Sequence, residues 1–427
     1  MKPTFVISSP FDTYSGYGAR ARDVIKAIIA TDKYNVKLLS QRWGSTPFGF
    51  CEDNPEFANL LDLVIPTLTE QPDIWAQITV PNEFQNLGKY NIGFTAGMET
   101  TLVHGTWVEG MNRMDVNFVS SEHSKRVFLN SVFEKQDNHK KVIGETKIEK
   151  PIEVLFEGVD LDVYKPTNEI FDLSEVKESF AYLSVGHWMQ GDMGEDRKNI
   201  GLLIKAFFET FKNKSKKPAL ILKTSSAGSS YMDRDSILKK IQAIRNSVKS
   251  KNLPNVYLLH GEFTNKEINT IYNHPKIKAM VSLTKGEGFG RPLLEFSTAK
   301  KLIIVSGFSG HMDFMKPDSS VIIGGALKNV HPSAVVENMI LPESQWFSPD
   351  HGQIGQALKD VFDNFKKYKD FGKKQSYHST SNFSWNMMKD LLDSRLTELI
   401  PDFPKQVELK LPKLNLPTLN MSKIAKK

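Results

Sequence analysis

Residues 283–314 read LTKGEGFGRPLLEFSTAKKLIIVSGFSGHMDF, and this stretch decides the fold. It opens in a turn carrying Gly286, Gly288 and Gly290, where a missing Cβ lets backbone N–H groups come close to a ligand. Pro292 follows where a first helical turn tolerates it, and the run LLEFSTAKK is helix-compatible. LIIVS then reads as a short, fully buried strand, and a second glycine turn, Gly307 to Gly310, closes the unit. A helix start exposing free N–H donors is an anion site. Two carboxylates flank it, Glu287 in the loop and Glu295 about two turns down the helix.

The E-x7-E spacing of Glu287 and Glu295 inside GEGFGRPLLE resembles the signature of the retaining glycosyltransferases of family four. The alternative is an ordinary βα unit with a solvated Glu pair. GEGFG, Pro292, LIIVS and GFSGH standing in order favour the resemblance. It implies an α/β chain of GT-B fold: two Rossmann-like domains facing a cleft, with a C-terminal helix crossing back to the first domain. It also implies that Glu287 meets the transferred sugar and Glu295 the nucleotide ribose. Gly288, Phe289 and Gly290 would then lie against the donor.

Composition is compatible. A chain of 427 residues is long enough for two cores, and 40% hydrophobic with 24% charged residues is ordinary for globular proteins. The lone Cys51 excludes an intrachain disulfide framework and most cysteine metal sites, which suits a reducing, cytoplasmic setting. MKPTFVISSP reads as a first strand rather than a signal peptide, and no stretch approaches the apolar length of a membrane helix. A net charge of +6 favours anionic partners without naming one.

In chain order, Thr4 to Ser8 reads as strand one, and DTYSGYGARARDVIKAI as its loop and helix. GYGARA fits the looser dinucleotide fingerprint, but the second strand ends in Ser40, Gln41 and Arg42 with no acid, so a dinucleotide site is not expected. The resemblance gives Ser15, Gly16 and Gly18 contacts to donor or acceptor across the cleft; an ordinary tight βα turn is the alternative. The aromatic, glycine-rich loop from Trp43 to Phe50 either presents rings to an acceptor or packs on itself. Next, NIGFTAGMETTLVHGTWVEGMNRMDVNFVSSEHSKRVF resembles the family's N-domain segment, without its usual His after the first strand. Glu99 or His104 would have to serve on the acceptor side, since a carboxylate in a cleft can orient or deprotonate a hydroxyl. EVLFEGVDLDVYKP, 153–166, resembles the domain-closing strand and turn, with Glu157 in place of an Asn.

The expected first domain therefore covers 1–165, the linker 166–178 and the second domain 179–375, with crossover helices at 376–400 and a basic Pro/Lys tail at 401–427. In the second domain, strand Tyr182 to Val185 and a long polar loop lead to RKN at 197–199, before a helix with apolar Leu202, Leu203, Ala206, Phe207 and Phe211. Two cations at a helix start oppose its dipole, so Arg197 and Lys198 make better sense with an anionic ligand; the resemblance makes that ligand a diphosphate. Strand Ala219 to Lys223 brings Lys223 toward phosphates or base, and a basic helix is expected over 235–251. The segment 322–347 has no assignable structure from sequence.

Arg197, Lys198 and the helix opening at Gly290 would stabilise charge on a departing β-phosphate without a metal; no Asp-x-Asp stands where a metal-bound diphosphate would need one, since DLD at 160–162 lies where the chain enters the linker. The implied reaction transfers a hexose or pentose, with retention, from a nucleotide-sugar, UDP being the expected nucleotide. No cofactor beyond that donor substrate is implied. A two-carboxylate glycosidase is the competing enzyme, disfavoured by the parallel βα pattern, RKN and the glycine loops. METT, MNRMD, SSEHSK and GFSGHMDF are similar to glycosyltransferases of large T4-like bacteriophages. That would make the acceptor 5-hydroxymethylcytosine in phage double-stranded DNA, within the bacterial host cytoplasm. A lipid, envelope-glycan or protein acceptor, and a non-catalytic nucleotide-sugar or DNA binding protein, stay open.

Overall fold

The structure, a computed structural model, describes residues 2–136, 139, 141–226 and 228–403. The basic tail expected over 401–427 therefore lies, from 404 on, outside the described residues. Two six-stranded sheets, parallel throughout, organise the chain.

The first sheet is built from β1 (Thr4–Ser9), β2 (Asn35–Ser40), β3 (Ile74–Ile78), β4 (Tyr90–Thr95) and β5 (Val116–Val119). An antiparallel hairpin, β6 (Phe133–Gln136) and β7 (Val142–Thr146), precedes its last strand, β8 (Ile152–Val154). Strand order is β2-β1-β3-β4-β5-β8, so the winding reverses between β1 and β3. Helices α1 (Gly16–Ala30), α2 (Phe50–Asp53), α3 (Gly105–Asn112) and α4 (Glu122–Asn130) connect or cover these strands.

The second sheet contains β9 (Ala181–Val185), β10 (Ala219–Lys223), β11 (Val256–Leu259), β12 (Ile277–Ser282), β13 (Leu302–Ser306) and β14 (Val321–Ile323). Its order, β11-β10-β9-β12-β13-β14, is that of a Rossmann sheet, with its switch point between β9 and β12. The connecting helices are α5 (Ile200–Phe211), α6 (Tyr231–Ser247), α7 (Asn265–Asn273) and α8 (Arg291–Ser297). Helix α5 buries Leu203, Ile204, Phe207, Phe208 and Phe211, a 3–4 spaced stripe against the sheet. Helix α6 lies four residues earlier than expected at both ends, because Ser230 caps it by accepting from the Asp233 N–H and Val248 turns extended. The unassigned segment 322–347 contains most of β14 and most of an antiparallel hairpin, β15 (Gly325–Asn329) with β16 (Gln345–Pro349). Gln345 hydrogen-bonds Thr101 of the first domain in both directions, each at 2.9 Å.

Three helices end the described chain: α9 (His351–Asp363), α10 (Lys369–Asn382) and α11 (Trp385–Leu399). Within the expected crossover span 376–400, α10 still packs against α8 and β13, and the return to the first domain falls at Phe383–Trp385. There the outgoing and returning chains bond each other, Val159 N–H to Phe383 O at 2.9 Å and Trp385 N–H to Val159 O at 2.8 Å. Helix α11 then inserts Met388, Leu392 and Leu396 into the first domain's core beside α1. Among the described residues no helix is long and apolar enough to cross a membrane.

Gly158 sits at this double crossing, where a Cβ would meet the Trp385 Cα at 2.5 Å and the Ser384 carbonyl at 2.8 Å. Both neighbours are backbone and cannot rotate away. Gly158→Ala should cost about 1–3 kcal/mol by overpacking. Hydrogen exchange should localise the loss to α11 and spare α9; equal loss in both helices would contradict this role for the crossing.

Candidate active site in the interdomain cleft

In doubly wound sheets, ligands bind beyond the carboxyl ends of the strands at the switch point. In the second sheet those ends are the loops after β9 and β12, and they carry Arg197, Lys198 and Glu287. The loops are stitched together. Lys285 N–H donates to Arg197 O at 2.8 Å, and Asn199, at φ +56, donates from Nδ2 to Leu283 O at 3.0 Å. Buried Asp196, four residues ahead of α5, accepts from the Ile200 N–H at 3.1 Å, so an acid faces the helix start beside the two cations.

The cations expected to await an anion have partners within the chain. Lys198 Nζ donates to Glu287 Oε1 at 2.6 Å, and Arg197 Nη1 stands 3.4 Å from Glu287 Oε2. The same Arg197 nitrogen is 3.3 Å from Glu99 Oε1, so one guanidinium joins the two domains. Burial would raise the Glu287 pKa, but Lys198 and Arg197 outweigh it and hold the carboxyl at about 2. Glu287 lies between two cations, whereas Lys198 has Arg197 beside it as well as Glu287 and the weaker influence of Glu99. Burial together with Arg197 therefore leaves the Lys198 ammonium below its ordinary range despite the pair.

The glycines of GEGFG have a different use from the one expected. A Cβ on Gly286 would overlap the Glu99 carbonyl, and one on Gly288 the Ala96 carbonyl. Both therefore let the two domains touch, where ligand access was the expectation. The Ser120 hydroxyl lies between the two, 2.5 Å from the Ala96 carbonyl of its own domain and 3.1 Å from the Gly288 carbonyl across the contact. Gly290, at φ +98, opens α8 against His311. Phe289 is buried, packed on Phe314 at a ring separation of 5.0 Å. Ser309, at φ +83, accepts the Glu287 N–H at 2.8 Å and fixes the loop from behind.

Glu295 is buried and engaged by Arg291 Nε at 2.9 Å, while Arg291 Nη1 reaches Asp23 of α1 at 2.5 Å. Burial pushes the Glu295 carboxyl up to about 7; Arg291 opposes the rise, and Asp23 and Glu157 add to it. At the end of β10, the Lys223 ammonium stands 5.4 Å from the centre of the Phe263 ring, its pKa lowered by burial against the pull of Glu262. His187 beside it bonds Ser225 at 3.0 Å, its pKa lowered by burial and by Lys223, Lys198 and Arg197.

On the first-domain side Ser15 caps α1, accepting the Gly18 N–H at 2.9 Å, and the space beside Gly16 is open. Gly18 is a packing glycine: a Cβ there would run into Thr13 and Pro10 carbonyls. The Tyr17 hydroxyl bonds Thr95 at 2.9 Å and accepts the Ala96 N–H at 3.2 Å, and Trp43 stacks on its ring at 4.1 Å. His104 is engaged elsewhere: its ring caps α3 and bonds Thr106 at 2.8 Å. The sequence reading missed Asp23, Tyr17, Ser120, Arg291 and Ser309. Arg291 and Ser309 stood inside the quoted stretch without a role, and only the fold brings Asp23 and Tyr17 to it. Among the described residues, no three His, Cys, Asp or Glu side chains group to hold a metal.

This arrangement of two facing sheets and a returning helix has solved counterparts. The chain has the GT-B fold. A glycosyltransferase from Rickettsia africae is 13% identical at a TM-score of 0.61, over 94% of this chain and 100% of that one. Sucrose-phosphate synthase from Thermosynechococcus elongatus is 12% identical at 0.60, over 93% and 99%. HepE of Anabaena, solved in complex with UDP-glucose, is 11% identical at 0.57, over 93% and 100%. At these identities the likeness is one of fold. No protein-family model matches the sequence, and no curated protein matches it.

Removing one member of a buried ion group leaves uncompensated charge, so Glu287→Gln should cost about 3 kcal/mol near neutrality. Because the folded pKa is depressed from 4.5 to about 2, the stabilisation is full above 4.5 and lost as pH falls toward 2. Urea unfolding across that window should show wild type and variant converge on acidification. A constant gap would contradict the ion-pair assignment.

Proposed function

We propose that this protein is a retaining glycosyltransferase that moves a sugar from a nucleotide-sugar, with UDP as the nucleotide, to a hydroxyl acceptor. The observation that carries the reading is the buried group of Glu287, Lys198 and Arg197, formed by the two loops at the second sheet's switch point. Counterparts of the same fold bind this class of donor: HepE was solved with UDP-glucose, and an Escherichia coli trehalose-6-phosphate protein with UDP-2-fluoro glucose.

In this reading Lys198 and Arg197 exchange part of their hold on Glu287 for the diphosphate and stabilise the charge of the leaving β-phosphate without a metal. Lys223 adds a third cation toward the phosphates or base, and Glu295 takes the ribose hydroxyls. The first-domain turn at Ser15 and Gly16 faces the donor across the cleft. Glu287, at about 2, is too weak a base to deprotonate a hydroxyl near neutrality, so it orients the transferred sugar through that sugar's hydroxyls. The departing phosphate oxygen then takes the acceptor's proton, which requires attack on the face it leaves and so retains configuration. Glu99, held by Arg197 at the domain boundary, orients the acceptor. His104, engaged in its helix cap, is given no part.

For the acceptor we propose 5-hydroxymethylcytosine in DNA. What supports it is the resemblance of METT, MNRMD, SSEHSK and GFSGHMDF to phage enzymes, together with the net charge of +6. The test incubates hydroxymethylated DNA with UDP-sugars and follows the nucleosides by mass spectrometry. A hexose or pentose increment is expected, and Lys198→Met should lower kcat by about 100-fold or more. UDP release without an increment would discard the DNA acceptor and keep the transferase. Neither product from any UDP-sugar would overturn the reading.

A further inference from the structure

Arg291 is the one guanidinium of the glycine loop's helix, and it sits where three parts of the chain meet. Its Nη1 lies 2.5 Å from Asp23 on α1 of the first domain and 3.8 Å from Glu157 on the segment crossing between domains. Its Nε lies 2.9 Å from Glu295, one turn along its own helix. Arg20, also on α1, is buried beside the group and donates to the Phe156 carbonyl at 2.8 Å. Both chain crossings run alongside, since Trp385 Nε1 donates to the Asp23 carbonyl at 3.3 Å.

We propose that Arg291 is a positioning residue: paired with Asp23 across the domain boundary, it presents Glu295 to the donor's ribose, so one buried charge group sets both donor affinity and cleft closure. The inference rests on the nucleotide-sugar reading given above. Without the Asp23 pair, the side chain of Arg291 keeps only the longer contact to Glu157, at 3.8 Å, outside α8, and its hold on Glu295 loosens. With the pair in place, opening the cleft must separate Arg291 from Asp23 and give up their 2.5 Å contact. Donor binding and closure therefore reinforce each other.

The electrostatics of the group make this testable. Asp23, Glu157 and Glu295 lie among the guanidiniums of Arg20 and Arg291, with Arg22 also acting on Asp23 and with Tyr164 and Tyr272 close enough to feel the Glu295 charge. Burial pushes both Glu157 and Glu295 upward. A ribose diol donates two hydrogen bonds, which an ionised Glu295 accepts better than a protonated one. UDP affinity should therefore rise as pH rises through about 7.

The experiment titrates UDP calorimetrically into the full-length protein across that range and compares three variants. Arg291→Met removes the cation that lowers the Glu295 pKa, so the pH midpoint should move up and affinity at neutral pH should fall about tenfold. Asp23→Asn removes an anion that raises it, so the midpoint should move down. Arg291→Lys keeps the charge without the planar fork and should hold the wild-type midpoint while losing part of the affinity. A purely structural role would weaken binding in both of the first two variants without displacing their midpoints in opposite directions, and that result would overturn the proposal. Small-angle scattering of the unliganded proteins reads closure without any nucleotide: Arg291→Met should have the larger radius of gyration. An unchanged radius would overturn the closure half of the inference. No UDP binding by wild type would overturn its donor half, together with the function proposed above.

Discussion

Everything in this cleft depends on a carboxylate that cannot afford to be alone. Glu287 is buried, and burial of an ionised carboxyl without partners is prohibitive. Lys198 and Arg197 answer that need from a loop nearly a hundred residues earlier in the chain, and Arg197 carries the connection on to Glu99 of the first domain. The second sheet's strand order makes the arrangement available, because the loops after β9 and β12 are neighbours only where the winding reverses. A cation pair held by a carboxylate is also a pair that an incoming diphosphate can claim.

The same boundary explains the glycines. Gly286 and Gly288 stand against the Glu99 and Ala96 carbonyls, and Gly310 against the Ser121 hydroxyl of the first domain. Side chains at these positions would push the domains apart and stretch the Arg197 bridge. The hairpin of β15 and β16, tied to Thr101 through Gln345, and the double crossing at Val159 and Ser384 hold the domains from two further sides. The closed spacing is thus set by backbone contact as much as by charge.

Local patterning made much of this legible. The order of strands and helices in the second domain follows from periodicity and glycine turns, the cations at 197 and 198 stand out against a helix dipole, and the paired spacing of Glu287 and Glu295 is read from its resemblance to a known signature. Contacts made at long range were not legible. Gly18 resembles a ligand-facing glycine, and only the fold reveals Thr13 and Pro10 carbonyls where its Cβ would be. Arg291 carries no periodic signal, and its partner Asp23 lies 268 residues away. The α6 boundaries moved because a serine cap outweighed the charge pattern used to place them. The hairpin after β14 stayed hidden because β15 faces solvent throughout and so lacks the alternation by which strands are found.

The central claim is that Lys198 and Arg197 hold the diphosphate of a nucleotide-sugar. Phosphorus-31 NMR of UDP with the protein tests it most directly. The account predicts that the β-phosphate resonance shifts and broadens on binding, and that Lys198→Met abolishes most of that shift. A β-phosphate signal that moves equally in wild type and Lys198→Met would place the diphosphate elsewhere and contradict the account.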